Sequence, residues 1–488
     1  MKTIGKALGA LLLVLVAVLA VRAMLASSSA TDVARVVVAV DEGAIARRLS
    51  EAIQIQTVSP GPPAVQDPEP FGQYISWLEG AYPAVHGALR RDVLGDLSVL
   101  FTWPGTDPEA APVLLTAHYD VVPVLPASEA DWEHPPFAGE IADGYVWGRG
   151  ALDDKGAMIA ILDAATLLLD DGFQPTQTVY LAFGHDEEIG GQNGAGAITE
   201  HLRSQGVQLA WSLDEGSFVI EGVYPGVDVP VASINVAEKG YLTIDLVAKG
   251  VGGHSSMPPP ETAVGVLAAA IVRLQENPMP GGIDGVTAES LDALAGYMPF
   301  LPRLVFANRW LFGGLLESQL AAGGASNAVL RTTIAPTMLE GSVKENVLPI
   351  EAVGTVNFRL HPRDTKEDVI AHVERVVDDE RVEIRVRRDG NPSSEVSSAT
   401  SAGFRAIARA MGQVFGPVAV VPGLTVGGTD SRHYGQIADD AYRFNPMVVT
   451  QADTAGFHGT NERISIENLA QDTRADAQIL RNAGVRQP

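Results

Sequence analysis

Short, largely apolar runs that end on a polar residue constrain this chain most. "LSVLFTW", "VLLTAHYD", "QTVYLAF" and "LAWSLDE" read as buried strands. "KGAMIAILDAATLLLDDG" reads as an amphipathic helix stopped by a glycine. Strands alternating with helices of ten or more residues imply βαβ units and a mostly parallel sheet. In such sheets ligands gather at the carboxyl ends of the strands. His118, Glu187 and Asp214 all sit just past an apolar strand.

The pattern changes near Glu238. "YLTIDLVAKG", a helix around "TAVGVLAAAIVRLQ", "LRTTIAPTML", "AVGTVNFRL", a helix "TKEDVIAHVERVV" and "VEIRVRR" follow in β-α-β-β-α-β order. Their strands alternate polar and apolar residues, as a sheet with one wet face should. This predicts an inserted domain over 238–393 with a ferredoxin-like order. The flanking segments 31–237 and 394–488 then form one catalytic α/β domain. A stretch from Glu276 to Asn327 is longer than an ordinary connection and is expected to act as a cap or an interface. A length of 488 residues fits this two-domain division.

Residues 1–30 differ from the rest. "MKTIGK" is basic, Ala7 to Val21 is apolar, and small residues follow near Ala30. This is the layout of a secretory signal, cut near Ala30, or of an uncleaved membrane anchor extended through Leu25. Either implies export, to a secreted, periplasmic or membrane-anchored location. A membrane partner enters only through this segment. The net charge of −25 argues against nucleic acid, which is bound by Lys and Arg. With no cysteine, any metal must be held by His, Asp and Glu.

Five stretches supply such residues: "TAHYDVVP" (His118, Asp120), "GRGALDDKG" (Asp153, Asp154), "DEEIGG" (Glu187, Glu188), "SLDEG" (Asp214) and "GFHGTNER" (His458). Residues i and i+2 of an extended chain share a face, so one of His118 and Asp120 can bind a metal while the other fixes the imidazole tautomer. Each stretch alone also has an ordinary reading. "DDKG" suits a helix start and "LDEG" a turn. Together they offer two histidines and three ligating carboxylates, with one to spare. That set can hold two divalent cations, Zn²⁺ by default, with Co²⁺ or Mn²⁺ as substitutes.

"TAHYDVVP", "WGRGALDDKG", "DEEIGG", "GGHSSMPP" and "GFHGTNE" resemble, in order and spacing, the M20 family of metallopeptidases. The long inserted segment and apolar N-terminus look most like its carboxypeptidase S and N-fatty-acyl-amino-acid hydrolase/synthase branch. The resemblance implies a di-metal exopeptidase-like catalytic sandwich and an inserted lid that also makes a homodimer contact. It implies that His118 and Glu188 are terminal ligands on different metals, that Asp153 bridges them, and that Asp214 and His458 complete the shells. A cis peptide is expected after Asp153. Asp120 becomes the partner of His118 and Glu187 the general base.

The resemblance also assigns His254 of the inserted domain to the reaction oxyanion and Arg432 to the substrate carboxylate, with Thr429 and Asp430 nearby. Asn327 and Asn346 are implied as substrate-binding amides. His254 and Asn327 also suit ordinary turns, and Arg359 an exposed sheet position. The chemistry is consistent: two cations lower the pKa of a bridging water, a free carboxylate takes its proton, and donors meet the oxyanion. The expected reaction is hydrolysis of an amide beside a free carboxylate, in a small peptide or N-acyl amino acid. Rivals are the reverse synthesis of N-fatty-acyl amino acids, another specificity such as deacetylation, and a non-catalytic metal-binding interaction protein.

Overall fold

The apolar runs pair side by side. In the computed structural model, which describes residues 2–26, 33–61, 64–224 and 226–484, Val113–His118 lies parallel to both Val179–Gly184 and Leu209–Asp214. These strands form the middle of a ten-stranded sheet. Leu209–Asp214 is followed by Ala438–Arg443, again parallel. The other edge, Arg90–Leu94 and Ser98–Trp103, is antiparallel, so the sheet is mixed with a parallel centre.

Helices cover both faces. Glu42–Gln54, Lys155–Asp170, Ala402–Phe415 and Ile466–Ala483 bury their apolar stripes on one side. Ala195–Ser204 packs on the other. The local reasons are readable. Asp41 caps Glu42–Gln54 by accepting the N–H of Ala44 at 2.9 Å. Ile45, Leu49, Ala52 and Ile53 of that helix recur at helical spacing and are buried. Its far end is closed by Lys155, whose ammonium donates to the carbonyls of Ala52 and Ile55 at 2.8 and 2.6 Å. The lysine of "DDKG" is therefore a structural residue.

A second sheet is antiparallel and four-stranded. Its strands are Gly240–Lys249, Thr333–Glu340, Glu351–Leu360 and Val382–Arg388. Helices Ala263–Glu276 and Lys366–Val377 cover one face. The order along the chain is βαββαβ. The other face carries a groove of about 560 Å³ lined by Tyr241, Thr243, Asn357, Arg359 and Arg387, among others. The chain enters this sheet after Glu238. It returns at Ser394, whose N–H donates to the Glu238 carbonyl at 3.1 Å.

The long segment after Glu276 folds into helices Gly285–Ala295, Phe300–Ala307, Arg309–Ala321 and Gly324–Ala328. The first lies on the outer strand of the large sheet, Ala419–Thr425, where Leu294 and Met298 meet Ala419 and Val421. Ser290 donates to the Pro422 carbonyl at 2.7 Å. Near the N-terminus, Lys2–Leu25 is one helix. Its stretch Lys6–Leu25 is long and apolar enough to cross a membrane by length and composition. The expected cleavage region near Ala30 lies outside the described residues.

Candidate metal centre

The carboxyl end of the strand Val113–His118 delivers a buried histidine. His118 Nδ1 lies 3.0 Å from the Asp120 carbonyl and 3.3 Å from its carboxylate, which leaves Nε2 facing outward. Asp120 is fully buried, and its two oxygens also accept the N–H groups of Glu187 and Glu188 at 3.1 and 3.2 Å. One carboxylate thus sets the imidazole and the turn that carries both glutamates.

Asp153 stands between two histidines. Its Oδ1 is 3.1 Å from His118 Nε2, and its Oδ2 is 3.1 Å from His458 Nε2. The Asp153–Asp154 peptide is cis. Asp154 accepts the His118 N–H at 3.3 Å and the Asn445 amide at 2.9 Å, and its carboxylate lies within 4.8 Å of ligand atoms of His118 and Glu215. The turn before it is held by Glu462. That buried carboxylate accepts the N–H groups of Gly150, Leu152 and Asp153 at 3.0, 2.8 and 3.2 Å and pairs with Arg149. Burial, despite Arg149, pushes Glu462 up to about 7.

The three acids of "DEEIGG" separate. Asp186 accepts the N–H groups of Asn193 and Gly194, both at 2.8 Å, and so anchors the start of helix Ala195–Ser204. Glu188 Oε1 lies 3.3 Å from His458 Nε2. The Glu187 carboxylate makes no hydrogen bond among the described residues. Gly190 and Gly191, at φ +115° and +63°, close the turn. A side chain at Gly191 would meet the Asp430 carboxylate at 1.9 Å.

The fourth stretch departs from the expectation. Glu215, rather than Asp214, is brought to His118, with Oε1 at 3.4 Å from Nε2. The strand ends at Asp214 and the chain bends at Gly216, φ +118°, which swings Glu215 over the strand end. Asp214 is buried, with Oδ1 taken by the Glu215 N–H at 2.9 Å and Oδ2 without a partner among the described residues. The sequence held a signal for this, because "DEG" offers a second acid directly before a glycine that can turn the chain.

Arg432 belongs to the same neighbourhood. It donates to the Gly190 carbonyl at 2.7 Å, two residues after Glu188. Asp430 is buried with neither carboxylate oxygen bonded among the described residues, while Thr429 donates to Glu238 at 2.7 Å. The remaining expected residues stay apart from the cluster. His254 is exposed on the inserted domain, and its Nδ1 faces the Ser256 hydroxyl at 2.8 Å. Asn346 shares that loop, its carbonyl accepting the Ser255 N–H at 3.1 Å. Asn327 lies in Gly324–Ala328, its N–H donating to the Gly323 carbonyl at 2.8 Å. Neither Glu215, Glu462 nor Asn445 was singled out by sequence.

The electrostatics describe a cluster short of positive charge. Burial, then repulsion from Glu215, pushes Glu187 well above the usual carboxylate range. Burial and Glu215 push Asp214 up to about 7. His458 is raised to about 10 by its bonds to Asp153 and Glu188. Burial opposes protonation of His118, but Glu215, Asp120 and Asp153 raise it well above its ordinary value. Cations would reverse this repulsion. Two further observations fit a metal pair: Asp214 Oδ2 is buried without a hydrogen-bond partner among the described residues, and the donors are imidazole nitrogens and carboxylate oxygens.

The profile of peptidase family M20/M25/M40 matches residues 114–482. The chain belongs to this family. It is an enzyme of the M20 metallopeptidase type. It is 42% identical over 416 residues to the N-fatty-acyl-amino acid synthase/hydrolase PM20D1 of Xenopus tropicalis, covering 85% of this chain and 80% of that one. It is 39% identical to probable carboxypeptidase S-like 2 of Dictyostelium discoideum, covering 88% and 82%. Among solved structures, the M20 metallo-carboxypeptidase Sso-CP2 of Sulfolobus solfataricus shares the fold at TM-score 0.66 and 19% identity, covering 90% and 99%. Human carnosine dipeptidase 1 does so at 0.65 and 16%, covering 91% and 96%.

Proposed function

We propose that this M20 enzyme hydrolyses an amide bond beside a free carboxylate, in a small peptide or N-acyl amino acid, using two divalent cations, Zn²⁺ by default. The observation that carries the reading is Asp153, which turns one oxygen toward each of two histidines. His118 and Glu215 would hold one cation with it, and His458 and Glu188 the other. Asp214, with its unpartnered oxygen beside Glu215, is the alternative fourth carboxylate. When bound, the cations supply Lewis acidity for the scissile carbonyl and for a water.

This chain's own residues do the rest. Glu187 is fixed through its backbone by Asp120 and has a carboxylate free of bonds, so it takes the proton of the attacking water and returns it to the leaving amine. Arg432, at the rim of the same turn, suits the substrate carboxylate by bidentate pairing. His254 is proposed to reach a site as oxyanion donor from the inserted domain, within one chain or across a homodimer. That role needs movement or a second copy, since the imidazole is exposed here.

The finer reading is a reversible N-fatty-acyl amino acid hydrolase and synthase. It is supported by the relatives of that name at 38–42% identity. A screen of the Zn²⁺-loaded protein against dipeptides and N-acyl amino acids of graded acyl length tests it. Preference for long acyl chains, and condensation of a fatty acid with an amino acid, are expected. Turnover of dipeptides alone would sink the fatty-acyl reading, and no amide hydrolysis at all would sink the whole assignment.

A further inference from the structure

We infer that helices Phe300–Ala307 and Arg309–Ala321 form a second membrane-contacting surface, seated in the outer part of a phospholipid bilayer beside the N-terminal helix. The first observation is the join between them. The Asn308 amide, between the two helices, donates to the Leu19 carbonyl at 3.0 Å, and Arg22 Nε donates to the Ala307 carbonyl at 3.2 Å. Ala23 is buried, while nearly all the described residues of Lys2–Leu25 before Leu19 are exposed.

The second observation is length. The apolar stretch Lys6–Leu25 has 20 residues. At about 1.5 Å per residue it matches a hydrocarbon core of about 30 Å with nothing to spare. Its last turns, from Leu19 onward, are the part held by Ala307 and Asn308. A bilayer that covers the whole stretch must therefore also cover whatever is packed there. The overlap is about 10 Å deep, the depth at which interfacial helices lie.

The third observation is what those helices show to solvent. Phe300, Leu301, Trp310, Leu311 and Leu315 are exposed by 48, 74, 59, 46 and 58%. Leu311 and Leu315 are one turn apart on the same face. Trp310 is the residue type favoured at a membrane interface. The cations nearby are engaged locally: Arg309 pairs with Asp292 and Arg331 with Glu317, while Arg303 and Arg22 donate to the Met298 and Ala307 carbonyls. With a net charge of −25, attraction to anionic lipid cannot supply the binding, so the contact is apolar and zwitterionic lipid suffices.

The test is independent of catalysis. The full chain is reconstituted in phosphatidylcholine vesicles with brominated acyl chains, and tryptophan quenching is read. Trp103, Trp132, Trp147 and Trp211 are buried and Trp77 is partly buried against the core of the large sheet, so these five form a constant background. Quenching should be strong in the natural chain, fall in W310F, and return in W310F/L311W. Leu339 is 71% exposed on the inserted sheet, and the added tryptophan of W310F/L339W should stay unquenched. Equal quenching with and without Trp310, or equal quenching at position 339, overturns the inference. Protection of Trp310 that grows with protein density in the vesicle overturns it too, by assigning the face to a second copy.

Discussion

The two sheets of this protein treat charge in opposite ways. At the carboxyl end of the large sheet, Asp120, Asp154, Asp214 and Asp430 are buried, and the Asp430 carboxylate has no hydrogen-bond partner among the described residues. On the inserted sheet the acids are mostly exposed and paired. Glu383 faces Lys249 and Arg385, and Asp245 faces Arg387. Solvated pairs of this kind contribute little and need no explanation. Buried like charges are costly unless something compensates them. The large sheet is therefore organised for cations, and the inserted sheet for water.

The strongest way to break this contrast is to remove the proton carrier. Glu187→Ala should lower kcat by about 10²–10⁴-fold while elemental analysis still finds both metals. Natural turnover in that variant would end the assignment of the base. Next come the ligands. Asp153→Ala should release both metals and His458→Ala one, since Asp153 faces both histidines and His458 only one pole. At the fourth stretch, Glu215→Gln should lower metal content and Asp214→Asn should not. The reverse result would return the role to Asp214.

A smaller effect is expected from Asp120→Asn, about 10–100-fold in metal affinity or activity, because it orients a ligand rather than being one. The gentlest test lies behind the site. Asp472 and Asp476 are buried four residues apart on the last helix, and neither carboxylate oxygen of Asp472 is bonded among the described residues. Burial, then Asp476, holds Asp472 well above the usual carboxylate range. In the unfolded chain it ionises near pH 4. Stability is therefore fully present below that pH and falls as pH rises toward the folded value. Asp472→Asn should leave stability at pH 4 unchanged and raise it at pH 8, by on the order of 1 kcal/mol. Arg385→Ala, on the inserted sheet, should change neither Tm nor kcat/KM.

Much of this was legible because it is periodic or local. The runs "VLLTAHYD" and "QTVYLAF" carry enough apolar residues to be buried strands whatever their neighbours. Their last residues are then placed at the sheet edge, which is why His118 and Glu188 could be named. The fourth stretch was not legible in the same way. Asp214 and Glu215 are adjacent, and which one points at His118 depends on where the strand stops and on the positive φ of Gly216. Glu462 and Asn445 were missed for a related reason. Each bonds a residue roughly 290 to 310 positions away, and no spacing rule reports such a contact.

The sequence by itself determined the alternating α/β sheet, the inserted βαββαβ unit, the nitrogen and oxygen ligand chemistry and the apolar N-terminal helix. These follow from hydrophobic period, residue type and the lack of cysteine, which act over a few residues. Only the tertiary structure decided that Asp153 stands between His118 and His458, that Asp120 holds the N–H groups of both glutamates, and that Glu215 faces His118. It alone joined Leu19 and Arg22 to the helices at 300–321. Those facts depend on where strands end and how distant turns pack, and packing is set by the whole chain at once.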